Sequence, residues 1–489
     1  MYFSSRRFTQ KKLLRILGFS GFLVSATFVN VQGQNLKARL TIASSHPEIR
    51  IEVDSDTAAQ AWSFRNAYAG VLALGERIER FEAIGKAGES LPVRKIAAGE
   101  YRSDEKVTKV SYNVRLLLPS SPGDLSHISW LTEDYGFLMF ADLLPQVFGR
   151  EATREQGVLV EFETPAGWDV RSAIVPDKKN QYLVWEPDSA VFFVARSLRT
   201  ASKMVELMEV EIQSSSVWPF ADADVLRVAT KVIRKYFEIT GFRLKGKSVV
   251  MLAPLPLSQD NSSWRAETRG STVVLLLDPR ARRTNWLGQL GVILAHEILH
   301  LWVPNSLQLQ GDYDWFFEGF TLYEALLTAL DLKLITFQEY LDTISRVYDS
   351  YLSYPDTLSL IEASEQRWSS SAPLVYDKGM LVAFMYDLIT RQESKGKSTL
   401  AERYRALFKL HAVDRANANE VIAGILNSSV ATKGFSQSYV ESRNVVELES
   451  FLPAYGLQIN SGGPPRHLSV RKVMTRNQQQ LLRSLGYRD

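Results

Sequence analysis

The hydrophobic periodicity of this 489-residue chain changes once, near residue 215, and that change narrows the folds open to it. Before it, apolar and polar residues alternate. Ala38, Leu40 and Ile42 flank Arg39 and Thr41, and the sets Ile49/Ile51/Val53, Val110/Tyr112/Val114 and Val158/Val160/Phe162 repeat the spacing. A period of two turns one face of a strand to a core and the other to water. Pro-Gly and Gly-Asp pairs punctuate several of these runs, so 34–215 reads as an antiparallel β domain. After the run Ser214-Ser215-Ser216 the spacing becomes helical: Val225, Val228, Val232, Ile233 and Phe237 mark one face of a helix over Asp222 to Ile239. Lys247 to Ala253 and Thr272 to Asp278 read as buried strands, and helices are predicted at about Asn285 to Trp302 and Trp315 to Leu330. The reading is a multidomain β + α chain: the β domain, an α+β domain over 216–331, a helical domain over 332–460 and a Gly/Pro-broken polar tail over 461–489.

Two compositional facts remove function classes. The chain has no cysteine, which excludes disulfide scaffolds, thiolate metal sites, iron–sulfur clusters and cysteine nucleophiles. A metal ion must therefore be held mainly by His, Asp or Glu. The formal charge of +3 is a property of the first 33 residues, which hold five of the 57 Lys and Arg and none of the 54 Asp and Glu. The remainder is about −2, with no electrostatic reason to seek nucleic acid. Those 33 residues are arranged as a signal peptide. Arg6, Arg7, Lys11, Lys12 and Arg15 precede an apolar stretch from Ile16 to Val29, and Val31-Gln32-Gly33 offers small residues near a cut. The apolar stretch is short of the roughly 20 residues that span a bilayer, and no later segment offers an uninterrupted apolar span. The expectation is an exported protein, periplasmic or secreted, with no membrane span in its mature form.

The chemistry concentrates in Ala295-His296-Glu297-Ile298-Leu299-His300-Leu301-Trp302. Leu287, Leu290, Leu294, Ile298 and Leu301 give this segment one apolar face and so make it helical. Residues four apart then stack about 6 Å along the axis, and two imidazoles so placed can each approach one metal ion at about 2.0–2.1 Å. Glu297 stands beside them, in reach of a water on the metal, as the general base of a metalloprotease. In a chain with six His, chance produces this pattern less than about once per hundred sequences. A catalytic zinc takes three protein ligands and keeps one position for water. Glu318, among the aromatic residues of Asp314-Trp315-Phe316-Phe317-Glu318-Gly319-Phe320, is the candidate third, since a carboxylate there is costly unless a cation satisfies it. A salt-bridged acid favoured by the dipole of a helix start is the structural alternative.

The motif His296-Glu297-x-x-His300, followed after 17 residues by Glu318-Gly319-Phe320-Thr321, resembles the gluzincin metallopeptidases. The alanyl aminopeptidase and leukotriene hydrolase family and the glycyl aminopeptidase family share this plan, the former with an interval of 18. The resemblance implies one zinc ion held by His296, His300 and Glu318 in a thermolysin-like α+β catalytic domain. It also implies a peptide or protein substrate. Val375-Tyr376-Asp377-Lys378-Gly379 is similar to a Tyr-x-Lys-Gly motif whose tyrosine, in the family, donates to the oxyanion, which implies that role for Tyr376. The Gly-Ala-Met-Glu-Asn motif that recognises the substrate amino group in the alanyl family is absent. Ala266-Glu267-Thr268-Arg269-Gly270-Ser271 stands in its place and looks more like the Glu-His-Arg-x-Ser segment of the glycyl family, with Thr268 where that family has His. Glu267 is thus a candidate partner of a substrate ammonium, or else the ion-pair partner of Arg265 or Arg269. The function implied is a zinc metallopeptidase, an aminopeptidase if Glu267 reads the amino group. A zinc endopeptidase is the first alternative, and a non-catalytic binding protein that keeps the fold is the second. His46, His127, His411 and His467 have no partner at ligand spacing and read as surface or satisfied residues.

Overall fold

The expected strands form, and their alternating residues are the buried ones. The structure, a computed structural model, describes residues 36–43, 47–147, 157–256, 264–279, 283–355, 358–460 and 463–488. Residues 1–33, on which the expected signal peptide falls, and His46 lie outside the described residues. Leu36–Ile42, Glu48–Ser63, Glu100–Arg115 and Ile78–Ile84 are neighbours in a nine-stranded sheet, with Val158–Glu163 and Gln181–Val184 beyond Leu36–Ile42. Ala38, Leu40, Ile42, Ile49, Ile51, Tyr112, Val114, Val160 and Phe162 all turn into one core. The domain is not wholly antiparallel: Leu36–Ile42 and Val158–Glu163 run parallel, Leu36 opposite Val158. Period two fixes which face is buried and carries no information on strand direction.

A second sheet, of four strands, orders Asp169–Ser172, Val191–Ala195, Tyr135–Met139 and Trp130–Leu131. Both of its faces are covered. Leu138, Phe192 and Val194 pack on the large sheet. Phe137, Met139, Val191 and Phe193 pack on Val249, Met251, Ala253, Val274 and Leu276 of a third sheet. This explains why Val191–Ala195 is buried at all five positions and has no polar face.

The third sheet has five strands in the order Arg199–Val205, Met208–Ser214, Gly246–Pro254, Thr272–Leu277 and Trp264–Arg269. Two of these precede the change of periodicity at 215, and Met208–Ser214 pairs in parallel with Gly246–Pro254, Met208 opposite Gly246. The far face of this sheet is covered by helices α1 (Asp222–Thr240) and α2 (Arg283–Leu299). Val225, Val228, Val232, Ile233 and Phe237, the residues that predicted α1, are all buried. Helices α3 (Thr321–Asp331), α4 (Phe337–Ser353), α5 (Leu360–Glu365) and α6 (Gly379–Glu393) complete the same core. The polar tail joins it too. Leu468–Val470 pairs with Leu457–Ile459, and the short helix Arg476–Ser484 buries Leu481 and Leu482. Two or three leucines are too few to impose a visible period, although they suffice to dock one turn. None of the described helices is long and apolar enough to cross a membrane.

Candidate active site

The motif helix brings its two histidines to one point. His296 and His300, one turn apart near the end of α2, place their Nε2 atoms 3.2 Å from each other. Glu318 Oε2 lies 3.3 Å from the first and 3.5 Å from the second. All three side chains are buried. These separations can be tested against a metal ion. In a tetrahedron with bonds of 2.0–2.1 Å, ligand atoms stand about 3.3–3.4 Å apart. The observed triangle is close to that edge, so His296, His300 and Glu318 fit as the three residues that would hold one ion.

The hydrogen bonds behind the ligand atoms decide what those atoms offer. His300 Nδ1 lies 2.9 Å from the Val303 carbonyl, which can only accept, so Nδ1 carries the proton and Nε2 a lone pair. His296 Nδ1 is 3.3 Å from Thr321 Oγ1. That hydroxyl sits against two acceptors, the Phe317 carbonyl at 2.6 Å and the Glu318 carbonyl at 2.9 Å, so towards His296 it offers a lone pair. Both imidazoles thus turn an unprotonated Nε2 towards a carboxylate oxygen. Three lone pairs facing one another in a buried site repel unless a cation lies between them. Without a metal ion a proton takes that place. Burial opposes charge on His300, yet the carboxylates of Glu318 and Glu297 outweigh it and push the imidazole up to about 9. Burial would raise the Glu318 carboxyl, but Arg367 and His300 hold it well below the usual range.

Glu318 is presented by a π-helical turn, Trp315–Phe320, that leads into α3. Two further π-helical turns, Arg367–Ser371 and Leu374–Lys378, carry Arg367 and Tyr376. Such turns insert a residue and re-aim a side chain, which is why they recur at functional sites. Two glycines let the first and last of them touch. A Cβ on Gly319 would come within 2.5 Å of Gly379 Cα, and one on Gly379 within 2.8 Å of the Trp315 carbonyl. Backbone meets backbone there, and no side chain fits. The glycine after Glu318 and the glycine three residues after Tyr376 are therefore the means by which the two polar groups share one cavity.

That cavity, about 420 Å³, is lined by His296, Glu297, His300, Glu318, Tyr376, Glu267 and Thr268, together with Tyr68, His127, Arg367 and Trp368. Every candidate residue from the sequence is in it. Glu297 follows His296 on α2, and its carboxylate accepts a hydrogen bond of 2.7 Å from Thr268 on the edge strand Trp264–Arg269. The Tyr376 hydroxyl accepts from Arg367 at 2.6 Å. Burial, with Glu318 close by, raises the phenol far above its ordinary range, so it stays a neutral donor. Glu267 differs from what an ammonium site requires. Its Oε1 accepts from Arg269 Nε and from the Tyr68 hydroxyl, each at 2.8 Å, and its Oε2 meets His127 Nδ1 at 2.5 Å. Of the two ion-pair partners open from sequence, Arg269 is the one engaged, and it is itself buried.

Sequence reasoning missed His127, Tyr68, Arg367 and Thr268. His127 and Tyr68 come from the N-terminal β region, about 140 and 200 positions before Glu267, and no spacing rule joins them. Arg367 gave one faint signal: a cation nine residues before a tyrosine already singled out.

No protein-family model and no curated protein matches the chain in sequence. Solved structures match it in fold. The aminopeptidase N family protein from Idiomarina loihiensis is 16% identical, with a TM-score of 0.76 over 87% of this chain and 79% of that one. The M1 zinc metallopeptidase from Deinococcus radiodurans is 13% identical, with a TM-score of 0.53 over 85% of this chain and 95% of that one. A variant of the latter, bound to a Tyr-Ser-Ala substrate, matches equally well. At these identities the likeness is one of fold. It agrees with the mixed architecture, β sheets first and helices after, and with the gluzincin resemblance of the motifs.

Proposed function

We propose that this chain is an exported zinc-dependent metallopeptidase, with residues 1–33 as its signal and a thermolysin-like unit built on the third sheet, α1 and α2. The observation that carries the reading is the buried triangle of His296, His300 and Glu318, whose edges of 3.2, 3.3 and 3.5 Å suit three residues that would together hold one zinc ion. Bound there, zinc would supply Lewis acidity and make a water molecule acidic enough to attack at neutral pH. Glu297, held by Thr268, takes the proton of that water and returns it to the departing amine. Tyr376 donates its hydroxyl to the oxygen on which negative charge develops. The fold neighbours, an aminopeptidase N family protein and M1 zinc metallopeptidases, support the same chemistry.

Aminopeptidase action is the finer reading, taken from those neighbours and from the 266–271 segment. One observation favours an endopeptidase instead: Glu267 already holds Arg269, His127 and Tyr68, which leaves little capacity for a substrate ammonium. Elemental analysis of the purified protein, with hydrolysis of aminoacyl amides and of N-blocked peptides before and after chelation, tests both levels. Chelator-sensitive turnover of the free-amino substrates alone is expected. Turnover of blocked peptides would select the endopeptidase, and metal-independent turnover would end the zinc reading.

A further inference from the structure

Arg367, its side chain only 10% exposed, is a cation held beside a proposed cation site, an arrangement that costs energy and calls for a reason. Its guanidinium makes three polar contacts. Nη1 meets Asp314 Oδ1 at 2.6 Å, while Nη2 meets Glu318 Oε1 at 2.8 Å and the Tyr376 hydroxyl at 2.6 Å. The group also lies 4.3 Å from the ring centre of Trp368 and 5.3 Å from that of Tyr376, so it cannot swing away without losing both faces. Glu318 meets it through the oxygen that does not face the histidines, so the arginine and the metal point do not compete for one atom.

The consequence falls on the phenol. A hydroxyl has one proton to give and lone pairs to offer. Here the guanidinium, which can only donate, takes a lone pair of Tyr376. Among the described residues no acceptor stands against the Tyr376 proton. The one polar act left to this hydroxyl is to donate into the cavity, where oxyanion charge would develop.

We infer that Arg367 is a positioning residue: it turns the Tyr376 O–H towards the reacting carbonyl and fixes that phenol as a donor. The inference rests on the metallopeptidase reading. A lysine would keep the charge and lose the planar fork that reaches three partners at once.

The test is a double-mutant cycle on one peptide amide, with wild type, Arg367→Gln, Tyr376→Phe and the double variant compared at full zinc occupancy. Arg367→Gln is expected to lower kcat by about 10- to 100-fold with KM little changed. The double variant should be no more than about threefold slower than Tyr376→Phe alone, because the arginine acts through the phenol. Two readouts do not depend on turnover. Zinc content should stay at the wild-type level, and affinity for a tetrahedral phosphonate peptide should fall by the same factor as kcat/KM. Losses that multiply in the double variant, zinc loss in Arg367→Gln, or unchanged phosphonate affinity would each overturn the assignment. If Arg367→Gln fails to fold, Arg367→Lys carries the same cycle. Wild-type protein without chelator-sensitive hydrolysis would overturn the peptidase reading itself; wild-type turnover with multiplying losses overturns only the role given to Arg367.

Discussion

Glu318 and Glu267 are two carboxylates in one cavity, the first buried and the second half-buried, and they differ in what faces them. Glu318 gives Oε1 to the Arg367 guanidinium and turns Oε2 towards two imidazole nitrogens, so one of its oxygens still faces a place that a second cation can fill. Glu267 is met by a guanidinium, an imidazole and a phenol, so its surroundings are already complete. Both have low carboxyl pKa values for reasons internal to the protein. For Glu267, burial opposes and Arg269 and His127 prevail, bringing it down to about 2. Burial and a shifted pKa therefore do not distinguish a binding acid from a structural one. The identity of the atoms across from the carboxylate does.

That contrast can be broken in several ways. The largest effect is expected on chemistry. Glu297→Gln should keep zinc and lose about 10²- to 10⁴-fold in kcat, the range for a positioned general base; full turnover with zinc in place would remove Glu297 from the mechanism. Next, zinc at about a thousand times its Kd should stabilise the wild type by about 4 kcal/mol. Read as the rise in thermal midpoint, that gain should vanish in Glu318→Ala and persist in Glu267→Ala. The reverse pattern would exchange the roles of the two acids. Glu267→Ala should instead cost about 3–5 kcal/mol in urea denaturation, since Arg269 is left buried without its partner. A raised KM for free-amino substrates with stability intact would show that Glu267 reads the ammonium after all.

Acid sharpens the same comparison. A carboxyl whose folded pKa is depressed contributes stability above its unfolded value of about 4.3, and that contribution is lost as pH falls towards the folded value. With Glu267 at about 2, denaturation midpoints should decline across that window, and Glu267→Gln should flatten the decline. The smallest effect belongs to Thr268→Val. The one proton of the Thr268 hydroxyl is divided between the Glu297 carboxylate at 2.7 Å and the Glu297 carbonyl at 2.8 Å, so its loss, worth about 1.5 kcal/mol, should slow kcat by roughly tenfold without releasing zinc.

The metal triangle and the strands around it were legible because their signals are local. Two histidines four apart on a helix must share a side, and Ala38, Leu40 and Ile42 must share a face. Glu318 followed from the need for a third ligand near an aromatic-flanked helix start, whereas Tyr376 needed the resemblance of a short motif; the structure supplies the physical basis of their meeting in the backbone contact of Gly319 with Gly379. Strand direction was not legible, since period two reads the same both ways. The set of partners that already satisfies the Glu267 carboxylate was hidden for a different reason. It is set by Tyr68 and His127, whose approach depends on how one sheet stacks on another, and a sequence pattern carries no record of that.

The doubly covered middle sheet bears on where the molecule can be cut. Val249, Met251, Ala253, Val274 and Leu276 are kept from water by strands that come earlier in the chain. A fragment beginning at 216 would keep all the proposed metal ligands and bare that greasy surface, with Gly246–Pro254 robbed of its neighbour Met208–Ser214. Such a piece should clump on expression, through a raw sheet edge seeking another copy of itself.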